Sequence, residues 1–340
     1  MNKLAKYIYE DHTNVLATKF SDHDSRQKAM AAMLYEALGL GADYKFEKKS
    51  FRRAFRENRA KMYNIIEEIG DQILADGEWI KNTFVNRFVE VRNLALGDKN
   101  EFYFEGRNNL VVSEFSGSHY DLRRQRVDNG QSFQVEVKDY GIKIYEEFER
   151  IASGRVDFGM LVEFVAEAIE KKLAEMAQAT FTTALTQLGN TYNVTGSYNE
   201  DNILTMLQHV ESVNGVKPQI VGTAAAIRKL QGTVDVKWSS NMKDTRNNNG
   251  ILPMWNGYEC VEISQGHKLG SIKDFIMPVN ELYAVTPDVK LVKMVLEGET
   301  SIKDVADYQT NADKTIEQAL AFKAGVAVAY SGVVGKITLA

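Results

Sequence analysis

Between residues 157 and 188, apolar side chains recur at helical spacing: Leu161, Phe164, Val165, Ala168, Leu173, Met176, Ala177, Phe181, Ala184 and Leu188. Glu163, Glu167, Glu170, Lys171, Lys172 and Glu175 fall mostly off that stripe. The pattern predicts one amphipathic helix, with Asp157 as N-cap and Gly189-Asn190 as the stop. Its roughly 30 residues would span on the order of 45 Å at 1.5 Å per residue. That exceeds the width of a small domain, so the helix should be a backbone to which other parts attach.

The stretch before it has a different rhythm. Phe84-Val85, Phe88-Val89 and Val91 begin an extended region. Phe102-Tyr103-Phe104 and Leu110-Val111-Val112 are short β-prone runs, and Gly97-Asp98 and Gly106-Arg107-Asn108-Asn109 read as turns between them. Phe133, Val135 and Val137 alternate with Gln134, Glu136 and Lys138, the period of a half-buried strand. An isolated hairpin is marginal in water, with one weak face and two open edges. Nothing else in the chain looks spare enough to cover an arm that long, so its expected cover is another copy of the protein. Between Arg87 and Lys138 there are eight basic and eight acidic residues. A neutral arm of mixed sign suits pairing across an interface rather than phosphate binding.

Before the arm, Ala29, Met33, Leu34, Ala37 and Leu38 share a helical face that Gly39 and Gly41 end. Met62, Ile65, Ile66, Ile69 and Ile73 form a second such face. After the long helix the pattern is α/β. A helix is expected over 202–210, a buried strand over 219–222 leading into a helix over 224–230, and a mobile loop over 242–253. Strands are expected over 258–263, 275–278, 282–285 and 291–296. The end of the chain alternates strand-like runs (320–328 and 336–339) around Ser331-Gly332 and should return beside the long helix.

Composition narrows the function. The net charge of −5 excludes a general polyanion binder. One locally basic stretch stands out over 44–61, with Lys45, Lys48, Lys49, Arg52, Arg53, Arg56, Arg59 and Lys61 against Asp43, Glu47 and Glu57. It is either a solvated helix face or a docking face for an acidic partner, protein or nucleic acid. Arg123, Arg124 and Arg126 form a smaller cluster in the arm. Cys260 is the only cysteine, so no internal disulfide is possible. The N-terminus lacks the apolar core of a signal peptide, and no stretch approaches the 18 or so apolar residues of a membrane span.

No catalytic, cofactor or metal constellation assembles from the residues. His12, His23, His119, His209 and His267 are scattered without paired spacing. Asp22-His23-Asp24 reads as a polar cap, since neighbours on a turn cannot all point at one ion. Cys260, beside Val261, reads as a buried inert thiol. Gly222-Thr223 opens a helix but lacks the further glycines of a phosphate cradle. Phe102-Tyr103-Phe104 has no basic groove around it, which favours strand packing over base stacking.

The order of parts, with Phe88-Val-Glu-Val-Arg-Asn, Asn108-Asn-Leu-Val-Val-Ser-Glu, Arg124-Gln-Arg and Tyr145-Glu-Glu-Phe-Glu-Arg-Ile151, resembles the major capsid proteins of tailed bacteriophages. The resemblance covers roughly residues 50 to 340. It implies an α+β fold of the Hong Kong 97 type. Residues 1–83 would be the N-terminal arm and helices, and 84–138 the E-loop laid over an adjacent subunit. Residues 139–194 would be the peripheral domain with its spine helix, 195–312 the axial domain, and 313–340 a return to the peripheral domain. The implied protein is a non-enzymatic shell subunit, assembled in the host bacterial cytoplasm and located in the virion. Its implied partners are itself, in hexamers and pentamers, a separate scaffolding protein, a portal protein, decoration proteins and non-specifically held double-stranded DNA, with no membrane. Arg52, Arg53, Arg56, Arg123, Arg124 and Arg126 become candidate intersubunit or genome contacts. Lys99 lies in the implied E-loop, but no catalytic glutamate or acceptor asparagine matches the crosslinking members of the family. An encapsulin-type compartment shares the fold and is the near alternative; a soluble α/β enzyme built on 195–312 is the distant one.

Overall fold

The computed structural model describes residues 83–104, 124–127, 129–147, 158–232, 239–306, 315–330 and 332–339. It also describes 47–58, single positions elsewhere between 32 and 74, and residues 106 and 112. In chain order the elements begin with α1 (Lys48–Glu57), α2 (Thr83–Phe88), β1 (Val89–Leu94), β2 (Phe102–Phe104), β3 (Gln131–Phe133), β4 (Lys138–Glu147) and α3 (Phe158–Ala184). They continue with β5 (Asn193–Gly196), α4 (Glu200–Asn214), β6 (Gln219–Gly222), α5 (Ala224–Gln231), α6 (Ser240–Asn249), β7 (Met254–Trp255) and β8 (Tyr258–Glu262). The last four are β9 (Glu281–Val285), β10 (Val292–Ala306), β11 (Thr315–Val328) and β12 (Gly335–Leu339).

The expected long helix is α3, 27 residues extended by a 3-10 turn at Leu185–Gln187. Its buried apolar positions are Val165, Ile169, Leu173, Ala177, Phe181 and Leu185, a run spaced by four, and Gln178 is buried beside them. Two of them, Ile169 and Leu185, lie outside the stripe read from the sequence. Phe164 and Ala184, which belong to that stripe, are exposed. Asp157, the expected cap, lies outside the described residues.

Two sheets flank the helix. The first has the order β1-β10-β11-β4, with β1 parallel to β10 and the other pairs antiparallel. The second has the order β5-β12-β9-β6-β8-β7. Its core joins Ile203, Met206, Leu207 and Val210 of α4, at helical spacing, to Ile227 and Leu230 of α5 and to Ile220, Leu282, Ala284 and Ile337 of the strands. Asn199 and Thr223 cap α4 and α5 with their side chains, as N-cap chemistry favours. The sheets meet at an aromatic cluster. The Phe181 ring lies 5.4 Å from Phe84, 6.0 Å from Phe88 and 5.0 Å from Tyr283. Beside it, Lys336 pairs with Glu281 at 2.9 Å, and Glu281 also accepts the Tyr283 hydroxyl at 2.8 Å. A charge pair this deep is tolerable because both partners are satisfied.

Several expectations are corrected. Phe84, Val85 and Phe88 bury one face of a helical turn, α2, before the strand begins. The 242–253 stretch is mostly the helix α6 rather than a loop. Ser239 accepts the Met242 N–H, and Gly250, at φ 79°, closes the C-terminus by donating to the Arg246 carbonyl at 2.8 Å. Caps at both ends override the weak helix preference of four asparagines. Residues 275–278 form no strand, only one bridge between Phe275 and His267. The chain end divides between the sheets. β10 and β11 belong to the first sheet, and β12 inserts between β5 and β9 of the second. A boundary at 312/313 therefore does not separate the two layers.

The aromatic junction yields a stability test. Phe181→Ala should cost about 3–5 kcal/mol in denaturant unfolding of the unassembled chain, the range for emptying a buried Phe site. Phe164→Ala, on the same helix but 57% exposed, should change it by less than about 0.5 kcal/mol.

Candidate functional site

Among the described residues no group of side chains that could hold a metal ion occurs, and the site to build is the arm expected to meet another copy, beginning with its root. β2 and β3 pair as a short antiparallel ribbon, Phe102 opposite Phe133 and Phe104 opposite Gln131. The rings of Phe102 and Phe133 stack at 5.7 Å. Gly130, at φ +86°, holds a position where a Cβ would lie 2.4 Å from the Phe104 carbonyl oxygen. Only glycine fits both the dihedral and the gap.

The ribbon is bolted to its own subunit. Phe102 and Val135 are buried against Val295 of β10, with Leu94, Phe133 and Val137 around them. The Arg92 guanidinium lies 4.0 Å above the Phe102 ring and donates to the Glu101 carbonyl at 2.9 Å. Arg92 also donates to Glu90, which accepts from Lys293, its cross-strand neighbour in the β1–β10 register. Burial acts to raise the Glu90 carboxyl, but the hydrogen bonds from Lys293 and Arg92 outweigh it and hold it below its ordinary value. The expected strand through Val137 stops at Phe133. The Asn100 side-chain amide donates to the Val135 carbonyl at 2.5 Å and accepts its N–H at 3.4 Å. Those groups are thereby withdrawn from a ladder. Further out, Tyr103 (64%), Val112 and Val127 are exposed. The root thus finds cover on its own body, which the sequence reading had assigned to another copy, while the described outer positions show apolar side chains to solvent.

The candidate arginines are not brought together. Arg52, Arg53 and Arg56 lie on α1, which buries Phe51 and Ala54. Arg53 is exposed and pairs with Glu57 at 2.8 Å; the side chains of Arg52 and Arg56 lie outside the described residues. Arg124 and Arg126 are exposed in the arm, and Arg123 lies outside the described residues. Asp22-His23-Asp24 also lies outside them. The sequence reading missed Glu90, Arg92 and Lys293 as the anchor of the arm. No spacing links residue 90 to residue 293; only the parallel pairing does. Cys260 is buried in β8, and burial pushes its thiol up to about 11, against the opposing hydrogen bond from Gln231. A thiol that stays protonated at neutral pH is a poor nucleophile.

Comparisons with known proteins now bear on this arrangement. Residues 1–338 match the family described as "SPbeta prophage-derived putative capsid protein YonB". No curated protein matches the sequence. Among solved structures, the acid-stable capsid of Helicobacter pylori bacteriophage KHP30 is similar at 14% identity and a TM-score of 0.50, over 77% of this chain and 92% of that one. The mature capsid of bacteriophage PhiM1 is similar at 11% identity and a TM-score of 0.48, over 74% and 85%. The likeness to the KHP30 capsid shows the fold, the α+β Hong Kong 97 type that the sequence resemblance implied.

The site makes two predictions. Glu90 is held below its ordinary value in the folded chain, so its contribution to stability is fully present above that value. It is lost as the pH falls through the lowered one. Thermal unfolding followed below pH 5 should lose stability in the wild type, and Glu90→Gln should flatten that acid dependence. Cys260 should resist a thiol reagent such as a maleimide at pH 8 in the native chain and react fully once denaturant is added, as followed by mass spectrometry.

Proposed function

This chain belongs to the YonB capsid-protein family, and we propose that it is the major capsid protein of a tailed bacteriophage, self-assembling into an icosahedral shell around double-stranded DNA. The observation that carries the reading is the family match along 1–338, joined to a capsid fold whose ribbon projects apolar side chains from a firmly anchored root. In that fold the arm is the E-loop, α3 is the spine of the peripheral domain, and the second sheet with α4, α5 and α6 is the axial domain. The role is structural: the subunit works by being placed, and no catalytic step is assigned to it.

Within that reading, hexamers and pentamers of the chain build the shell. A separate scaffolding protein guides them, a portal protein fills one vertex, and decoration proteins bind the outer face; assembly takes place in the host cytoplasm. The E-loop lies over the adjacent subunit. Its neutral charge balance supports a protein contact rather than a phosphate contact. Repetition supplies the strength. Obligate interfaces commonly bury about 2,000 Å² or more, and modest contacts become collectively strong in a closed shell because each is made intramolecular by the others. Enclosing a cargo enzyme, as encapsulins do, is a second use of the same fold; family membership favours the capsid.

Negative-stain electron microscopy of the expressed chain, with its scaffold co-expressed, should show closed shells. Small oligomers alone would sink the reading. Reversing Arg52, Arg53 and Arg56 to Glu then assigns the basic face: intact shells with lost DNA packaging place it against the genome, and failed assembly places it against protein.

A further inference from the structure

The strands β8 and β9 are joined by a second projection, residues 263–280. It is an ordered finger. The Lys268 N–H donates to the Asp274 carbonyl at 2.9 Å, and the Ile276 N–H to the Gly266 carbonyl at 2.9 Å. Ser271 ties the tip by donating to the Asp274 carboxylate at 2.8 Å. At the base Met277 is buried, with its carbonyl and N–H both bound by the Gln265 side chain. The finger leans on the spine helix, where the Leu269 N–H donates to Glu175.

A finger held by this many internal bonds has no conformational reason to show apolar side chains, yet it shows Leu269, Ile272, Phe275 and Val279, with Ile272 88% exposed. Phe164 extends the display. It shares a helix side with Lys171 and Gln178, which lie under the finger, through a repeat of seven residues. Ordered apolar display on one projection marks a contact surface. Its exposed charges include Lys268 and Lys273, while Asp274 is occupied by Ser271.

A complementary surface exists on the same chain. Tyr198, 48% exposed, shares a side-chain hydrogen bond with Trp255. Glu200, bound to Asn256 of the β7–β8 turn, and Asp201 stand exposed beside it. Lys217 reaches the same turn, its Nζ 5.0 Å from the Tyr258 ring, so with Glu200 and Asp201 the patch is aromatic and acidic by one charge; it adjoins the start of β8, and the finger leaves its end. The five residues of β8 stand between them, roughly 17 Å at about 3.3 Å per residue. Two complementary surfaces at opposite ends of one strand cannot satisfy each other within a subunit.

We propose that the finger docks a second copy of this chain, with Ile272 and Phe275 seated against Tyr198 of the partner subunit and Lys268 and Lys273 facing its Glu200 and Asp201. The contact is head-to-tail. Each subunit gives a finger on one side and receives one on the other, a heterologous contact that closes a ring when its rotation per subunit divides a full turn. It rests on the capsid reading and adds which surfaces make the ring.

The test compares wild type, Ile272→Asp, Lys273→Glu, Asp201→Lys and the Lys273→Glu/Asp201→Lys pair by sedimentation velocity and electron microscopy, with circular dichroism to confirm folding. Ile272→Asp and each single charge reversal should fold normally and lower the assembled fraction about tenfold or more, as loss of a central contact does. The double reversal should recover most of it. Folded single variants that assemble like wild type would overturn the finger contact while leaving the capsid reading intact. A double variant no better than the singles would overturn the named pairing. A wild-type chain that forms no shell with its scaffold would overturn the capsid reading, and the finger contact with it.

Discussion

The rotating buried face of the spine helix organises the molecule. Positions spaced by four advance about 40° per step on a helix of 3.6 residues per turn. From Val165 to Leu185 the buried line therefore turns by about 200°. One helix can in this way serve two sheets on different sides. Lys172 approaches the Tyr140 ring of the first sheet at 5.9 Å. Nine residues later, half a revolution away, Phe181 meets Tyr283 of the second sheet and the α2 rings. A straight stripe at strict heptad spacing would bury a single side and leave one sheet without a floor.

That arrangement explains why the projections can be sparse. The ribbon roots through Phe102, Val135 and Val295, and the finger through Met277. Both roots sit on elements already fixed by the spine, so neither projection needs a core of its own. What each presents outward is chemically different. The ribbon carries balanced charge and scattered apolar residues, which suits a long, shallow contact. The finger presents Ile272 and Phe275 on either side of Lys273, which suits a socket. A shell subunit needs contacts weak enough to correct misplacement and numerous enough to hold once closed, and surfaces of moderate size meet that demand.

Much was determined by the sequence alone. The helix from 158, the βα unit at 219–231, and the strands at 258–262 and 281–285 follow from local periodicity, which acts within a few residues. The resemblance carried by the order of parts implied the capsid fold. Tertiary structure decided what depends on residues distant in the chain. It placed β12 between β5 and β9, set Glu90 opposite Lys293, withdrew the Val135 backbone to Asn100, and turned an asparagine-rich stretch into the capped helix α6. Periodicity says which side of an element is apolar, but the partner on that side is chosen by packing across the whole fold. For the same reason, the finger's exposed tip could not be read as a surface until the body beneath it was in place.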